Sequence, residues 1–159
     1  MGTIRYAAPI CDLLITAKGG YITQLYFDGG ITTPPTLCVT EPNKEDAQVL
    51  SKVAAELDNY YAGELKTFLT PIAPTGTPFR MAVWKALQTI PYGETISYKE
   101  LALRIGNPAA IRAVGGANHN NPISIIIPCH RVIGASGKLV GYGGGVKVKQ
   151  YLLELEDLF

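Results

Sequence analysis

A cysteine next to a histidine is the pair of residues with the most obvious chemistry in this sequence. Cys129 and His130 follow Pro128 at the end of the isoleucine-rich run 123–127. Because proline lacks a backbone N–H and keeps the residue before it extended, we predict a buried strand over residues 123–127 that ends just before the thiol. A cysteine in this position is either a small buried hydrophobic residue or a nucleophile.

His130 could activate the thiol only under a geometric condition. Side chains of successive extended residues point to opposite faces, so contact between Cys129 and His130 would need a turn in the backbone or a bridging water. Adjacency alone therefore does not decide between the two interpretations.

The residues around this pair form a longer pattern. Asn121-Pro122 precedes the pair, Pro-Cys-His-Arg-Val spans residues 128–132, and Tyr142 begins a Tyr-Gly-Gly-Gly stretch. This pattern resembles the active-site signature of the O6-alkylguanine-DNA alkyltransferases, or methylated-DNA-protein-cysteine methyltransferases. The similarity is strong from Thr77 to Glu156 and faint over residues 1–70.

The resemblance implies a role for each residue of the reactive set. Cys129 would accept the alkyl group, His130 would activate it through a water, and Glu156 would orient His130. Asn121 would tie the reactive loop to a helix-turn-helix. We expect His130 and Glu156 to lower the pKa of Cys129, since a thiolate is needed near neutral pH.

The same resemblance implies residues that bind DNA and the target base. Tyr98 would contact the base and turn the target phosphate, and Arg112 would fill the place of the extruded nucleotide. The guanine pocket would be lined by Tyr142, Gly143 and Val132. The expected partner is double-stranded DNA that carries O6-alkylguanine, and we expect no metal and no organic cofactor, because Cys11 and Cys38 do not reproduce the zinc cluster of some members.

The resemblance also implies an α+β fold in two domains. A small ribonuclease-H-like domain would be followed by a mostly helical domain with a winged helix-turn-helix. Prolines 71, 74 and 78 with Gly76 predict a linker, which divides the chain into residues 1–75 and 76–159. The first part carries five Lys and Arg against eight Asp and Glu, and the second nine against five, so the C-terminal part is the candidate DNA-binding part.

Composition excludes several other classes of protein. The 159 residues are 47% hydrophobic and 17% charged, which indicates a globular protein with a real core and not a disordered chain. No apolar run approaches the roughly 20 residues that span a bilayer, and no signal-peptide core follows Met1. We expect a cytoplasmic monomer, without membrane contact, whose three cysteines are reduced.

Local patterns predict the elements of both parts. A hairpin of strands 11–16 and 21–27 turns at Gly19-Gly20, and a helix capped by Asn43 ends at Gly63. Caps at Thr77 and Ser97 begin two further helices, a third runs from Pro108 to about residue 118, and an amphipathic helix ends the chain. Residues 134–137 predict a turn, and residues 141–145 predict a loop whose backbone can approach a ligand.

The helix from Pro108 is built mainly from small residues. They are Ala109, Ala110, Ala113, Gly115, Gly116 and Ala117. Small residues allow close packing against another helix, and they equally suit a DNA minor groove about 6 Å wide. Just after them the sequence has His119-Asn120 where the family usually has Gly-Arg, so one phosphate-binding charge is missing.

The sequence leaves two other functions open. One is a DNA-lesion sensor without enzymatic activity, similar to the alkyltransferase-like proteins that lack the acceptor cysteine; the presence of Cys129 argues against it. The other is a cysteine hydrolase, which would turn over repeatedly, whereas an alkyl acceptor stops after one event.

Overall fold

The computed structural model describes residues 1–134, 137 and 142–159. Its N-terminal part contains an antiparallel sheet in the order β1-β2-β3. The strands are β1 (Gly2–Tyr6), β2 (Leu13–Lys18) and β3 (Tyr21–Phe27). The predicted hairpin is confirmed, and its two turn glycines have φ angles of 62° and 83° that favour glycine.

Two details of this sheet differ from the sequence predictions. β2 begins at Leu13 and not at Cys11, because the chain turns at Cys11, whose backbone N–H donates to the carbonyl of Pro9 at 2.8 Å. β1 has no counterpart among the predictions, since its buried and exposed residues do not alternate regularly.

A long helix, α1 (Lys44–Tyr61), packs against this sheet. It begins as predicted, because the side chain of Asn43 accepts a hydrogen bond from the backbone N–H of Asp46 at 2.8 Å. Gly63, with φ 76°, follows its end. The buried apolar face of α1 consists of Val49, Leu50, Val53, Leu57 and Tyr60.

The next two helices begin at the predicted caps. In α2 (Pro78–Leu87) the side chain of Thr77 accepts a hydrogen bond from the backbone three residues later, and in α3 (Tyr98–Arg104) Ser97 does the same. The left-handed Gly106 ends α3. The helix-turn-helix is formed by α3 with α4 (Ile111–His119), and the two helices pack against each other.

The start of α4 differs from the prediction. The helix begins at Ile111 and not at Pro108, because residues 107–110 form a turn in which the N–H of Ala110 donates to the carbonyl of Asn107 at 3.0 Å. Ala110 therefore occupies the N-cap position, and its side chain makes no capping hydrogen bond.

The predicted strand over residues 123–127 is wrong. The run is almost entirely buried, as expected, but it forms a turn in which the N–H of Ile127 donates to the carbonyl of Ile123 at 3.1 Å. Ile125 has φ 71°, a left-handed conformation that β-branched residues rarely adopt. The isoleucines predicted burial correctly, but the turn depends on the side chain of Asn121 and on backbone hydrogen bonds to Leu25.

The C-terminal part ends with a small parallel sheet and a helix. The strands β4 (Ile96–Ser97) and β5 (Val132–Ile133) pair in parallel, and α5 (Val146–Leu158) is the predicted final helix. The predicted turn at 134–137 and the predicted loop at 141–145 lie partly outside the described residues.

One continuous hydrophobic core joins the two parts of the chain. Buried residues of β2, β3 and α1 belong to the same cluster as those of α2, α4 and α5. The sheet also bonds directly to the reactive loop, because the N–H of Leu25 donates to Pro122 O at 2.8 Å and the N–H of Ser124 donates to Leu25 O at 3.0 Å. None of the described helices is long and apolar enough to cross a membrane.

Candidate active site

The loop before the reactive cysteine is shaped by one buried asparagine. Asn121 follows α4, and its side-chain NH2 donates to Ile127 O at 2.7 Å while its side-chain oxygen accepts from the N–H of Ile123 at 3.0 Å. These two bonds hold the turn closed and stabilise the unusual conformation of Ile125. Asn121 thus shapes the loop that follows α4, and its role in tying this loop to the helix-turn-helix stays a prediction.

Cys129 lies in a tight 3₁₀ turn over Cys129–Arg131. This turn supplies the backbone turn that a local contact between the thiol and its neighbours requires. A residue of α4 supports it, since the side-chain NH2 of Asn118 donates to Cys129 O at 3.4 Å. Asn118 has no distinguishing mark in the sequence, and its role emerges only from the fold.

The thiol is buried, and its pKa is raised. Cys129 is 4% exposed, and burial is the largest influence on its pKa. A hydrogen bond from Asn121, the charge of Lys149 and the backbone N–H groups of Cys129 and His130 act in the opposite direction without reversing it. The expected lowering of this pKa by His130 and Glu156 is therefore wrong, because desolvation of a thiolate outweighs its partners.

His130 and Glu156 form the short contact that the resemblance implied. Nε2 of His130 lies 2.6 Å from Oε2 of Glu156, and both side chains are fully enclosed. Nδ1 of His130 is also buried, and it has no hydrogen-bond partner within the described part of the chain. One ring nitrogen is thus fixed by the carboxylate, and the other remains available for proton transfer.

The ionisation of this pair follows from its surroundings. Burial lowers the pKa of His130 most, and Arg131 and Lys149 lower it further, while Glu156 acts against them. Burial would raise the pKa of Glu156, but His130 and Arg131 outweigh it and lower the value. We infer a neutral imidazole beside an ionised carboxylate.

Two further residues hold Glu156. Arg131 donates from Nε to Oε1 at 2.8 Å and from a terminal nitrogen to Oε2 at 3.2 Å, and its other terminal nitrogen donates to Ile90 O at 2.7 Å. The hydroxyl of Tyr60, on α1, donates to Oε2 at 2.6 Å. No feature of the sequence connects Tyr60 with the site.

A buried lysine completes the polar cluster. Lys149 on α5 is 0% exposed, and its ammonium donates to the carbonyl of Val132 at 2.6 Å. Burial lowers the pKa of Lys149, and the nearby Cys129 acts against this. A signal for it was present in the sequence: positions 149 and 156 share the apolar face of α5, two turns apart, and both carry charged side chains.

The glycines after Tyr142 have a packing role that the sequence did not predict. A Cβ on Gly143 would lie 2.4 Å from Oγ1 of Thr32, and one on Gly144 would lie 2.6 Å from the ring of Phe27. The carbonyl of Gly143 accepts from the N–H of Ile31 at 2.7 Å. These glycines therefore allow the N-terminal part to dock on this loop.

The aromatic residues assigned to the base pocket lie in two places. Tyr142 is buried, and its ring packs against that of Phe27 with centroids 5.5 Å apart. Tyr98 is partly buried at the start of α3, and its ring carbons lie 3.9 Å from a Cβ built on Gly115. Burial raises the pKa of Tyr98, and the neighbouring Cys129 raises it further.

The exposed face of α4 presents small residues and one arginine. Arg112, Ala113 and Gly116 are exposed, whereas Val114, Ala117 and Asn118 point into the protein. A Cβ on Gly116 would meet no atom within 4 Å, so the described residues do not explain a glycine there by packing. Ala117 is instead buried, and its backbone carbonyl accepts from the indole N–H of Trp84 at 2.9 Å.

Fold and site together define a class: a helix-turn-helix protein that holds a buried thiol, imidazole and carboxylate directly behind its second helix. Family models described as the ribonuclease-like domain and the DNA binding domain of 6-O-methylguanine DNA methyltransferase match residues 4–74 and 78–158. The chain therefore belongs to the 6-O-methylguanine DNA methyltransferase family.

Individual relatives agree with this membership. The chain is 50% identical over 149 residues to the methylated-DNA–protein-cysteine methyltransferase of Mycobacterium tuberculosis, covering 94% of this chain and 88% of the relative. It is 44% identical over 154 residues to the enzyme of that name from Haemophilus influenzae, covering 96% and 84%. A crystal structure of Mycobacterium tuberculosis OGT in complex with DNA matches with a TM-score of 0.86 and 49% identity, covering 98% of this chain and 91% of that chain. The α+β fold predicted from the sequence is confirmed.

Proposed function

We propose that this protein repairs DNA by transferring the alkyl group of O6-alkylguanine in duplex DNA to the sulfur of Cys129. The S–C bond forms as the bond between O6 and the alkyl carbon breaks, and the proton of the thiol is returned to the departing guanine. The product is a stable thioether, so each molecule reacts once. The contact of His130 with Glu156 beside Cys129 carries this proposal.

The imidazole is held in the tautomer that such a transfer needs. An ionised Glu156 can only accept, so Nε2 of His130 carries the hydrogen of the 2.6 Å contact. The lone pair then lies on Nδ1, the nitrogen that has no partner among the described residues. His130 can therefore accept the thiol proton, directly or through a water, and Glu156 stabilises the imidazolium that forms.

Because the pKa of Cys129 is raised, transfer needs a base that removes the thiol proton. A buried thiol stays protonated in the resting protein and is not exposed to adventitious oxidation as a thiolate. Deprotonation then accompanies attack, when negative charge moves from sulfur towards the departing guanine. The charge of Lys149 lowers the pKa of Cys129 and so favours this deprotonation.

The exposed face of α4 is proposed to enter the minor groove of the DNA. Its small residues Ala110, Ala113 and Gly115 leave room for the groove walls, and Arg112 projects from the same helix to fill the place of the extruded base. Tyr98 lies between this face and the reactive loop, where it can contact the target nucleotide.

The remaining assignments belong to the same proposal. Val132, Tyr142 and Gly143 line the guanine pocket, no metal or organic cofactor takes part, and the protein acts as a monomer. Residues 1–75 form a scaffold domain, and residues 76–159 form the DNA-binding and alkyl-transfer domain.

Alkyl transfer is tested by Cys129→Ala together with the wild-type protein. Wild-type protein mixed with duplex DNA carrying O6-methylguanine should gain the mass of one methyl group on the peptide that contains Cys129, and Cys129→Ala should gain none while still binding the DNA. Cys11 and Cys38 serve as internal controls and should stay unmodified. Transfer by Cys129→Ala would refute the assignment, and more than one base repaired per molecule would indicate a hydrolase.

A further inference from the structure

We propose that Tyr60, supplied by the N-terminal part of the chain, is a positioning residue for alkyl transfer, because its hydroxyl holds the Glu156 oxygen that contacts His130. This inference rests on the proposed function and assigns the sheet-and-helix part of the molecule a direct influence on the reaction.

The contacts converge on a single oxygen. The hydroxyl of Tyr60 and Nε2 of His130 each lie 2.6 Å from Oε2 of Glu156. Arg131 reaches the same oxygen at 3.2 Å and Oε1 at 2.8 Å, and the backbone N–H of Gly93 lies 3.4 Å from Oε1. Tyr60 is 1% exposed, so water does not replace its hydrogen bond. The direction of the carboxylate, and with it the plane of the imidazole, depends on this set.

Packing alone does not explain a tyrosine at this position. The ring of Tyr60 contacts Tyr61, Phe68 and Tyr92 with centroids 5.4, 5.5 and 6.3 Å apart. Phenylalanine would keep all three ring contacts. The hydroxyl is the atom that reaches across to the other part of the chain, and Glu156 is its partner.

The hydroxyl also adjusts how strongly Glu156 attracts the proton on His130. Burial and the Glu156 charge raise the pKa of Tyr60 well above its usual value, so it donates at every working pH. A donor that shares Oε2 withdraws charge from the contact with Nε2. Removal of the hydroxyl should therefore make His130 more basic and leave its ring less well oriented. The other titratable and charged groups that face this pair are Arg131, Lys149, Cys129, Tyr92 and Tyr142.

The test compares Tyr60→Phe with Tyr61→Phe, a neighbour on the same helix. For Tyr60→Phe we expect a rate constant of transfer about tenfold lower and an unchanged DNA affinity. This loss is smaller than the whole contribution of a positioned base, because the base itself remains. The midpoint of the acid limb of its pH-rate profile should move upward, whereas Tyr61→Phe should keep both values. The chain has only two histidines, so ring nitrogen NMR of His130 can be resolved directly and should show the same upward movement.

A second modification tests the opposite direction. Replacement of Tyr60 by 3-fluorotyrosine keeps the hydroxyl and makes it a stronger donor, so the acid limb and the His130 titration should move downward. In a Glu156→Gln background, Tyr60→Phe should cause no further shift, because the residue acts through that carboxylate.

Two outcomes overturn the inference. One is a Tyr60→Phe protein with the wild-type transfer rate and the wild-type His130 titration. The other is slower transfer with an unchanged His130 titration in both the Tyr60→Phe and the 3-fluorotyrosine protein, which would mean that Tyr60 only packs. Failure of the wild-type protein to alkylate Cys129 would instead refute the proposed function. The His130 titration in DNA-free protein distinguishes the two failures.

Discussion

The reactive cluster around Glu156 and the exposed face of α4 are built in opposite ways. In the cluster, the side chains of His130, Arg131 and Tyr60 all contact one buried carboxylate. On the helix face, Arg112 and Gly116 lie exposed, and the space around Gly116 is open within the described structure. The first region gathers its polar groups inside the protein, and the second is the face that we propose to enter the DNA groove.

Two pairs of glycines show the same difference. Gly143 and Gly144 are small because Thr32 and Phe27 fill the space where side chains would stand. Among the described residues, the nearest such neighbour of Gly115 is Tyr98 at 3.9 Å, and Gly116 has none within 4 Å. A glycine-rich sequence therefore does not reveal whether protein or ligand approaches it. Substitutions in the reactive cluster should change the reaction rate, whereas substitutions on the α4 face should change DNA binding.

The largest effect is expected from Glu156→Gln. The charge of Glu156 raises the pKa of His130, so its loss lowers that pKa further and weakens the base. Transfer at neutral pH should therefore fall by about 10²-fold. At high pH the thiolate of Cys129 forms without the base, and the deficit should shrink. In wild-type protein the pKa of His130 is lowered, so the transfer rate should stay unchanged down to pH values below the usual histidine pKa of about 6.5.

The stability of this variant has to be checked at the same time. Removing one partner of a buried ion pair costs about 3–5 kcal/mol, because Arg131 would lose its counter-charge. Thermal unfolding and duplex binding therefore accompany the pH-rate profile. A deficit that is equal at neutral and high pH in a folded protein would contradict the assignment of Glu156 to the proton transfer.

The sequence predicted the starts of helices more successfully than the reactive cluster, and the reason is physical. Helix caps such as Asn43, Thr77 and Ser97 act over three residues, so they are legible locally and all three are confirmed. The turn over residues 123–127 depends on the side chain of Asn121 and on pairing with Leu25, and the contact of Tyr60 with Glu156 joins the two parts of the chain. Tyr60 and Glu156 are 96 positions apart, so no local pattern predicts their contact.

Gly116→Leu should affect DNA binding and leave the fold intact. Leucine is a better helix former than glycine by about 1 kcal/mol, and the built Cβ meets no atom, so the free protein should be as stable as wild type or more so. Affinity for duplex DNA should fall by about tenfold or more, since even ~1.4 kcal/mol of lost contact has that effect.

The matched control is Ser51→Leu, an equally exposed position on α1. Fluorescence anisotropy with a labelled duplex should give it wild-type affinity, and both variants should react normally with free O6-alkylguanine base. If Gly116→Leu binds duplex as tightly as Ser51→Leu, α4 does not approach the DNA with this face.

The smallest effect is expected from Asn120→Arg, at the position where the family usually carries an arginine. Asn120 is exposed at the end of α4, and its side chain donates to Gly116 O at 2.8 Å. Its φ of −93° suits any residue, so arginine should be accommodated. The added charge should tighten duplex binding at low salt and steepen the plot of log affinity against log salt by about 0.9, the contribution of one neutralised phosphate. Asn120→Gln, which lacks the charge, separates this gain from the loss of the local hydrogen bond, and parallel salt plots for the arginine and glutamine variants would mean that position 120 does not face the DNA backbone.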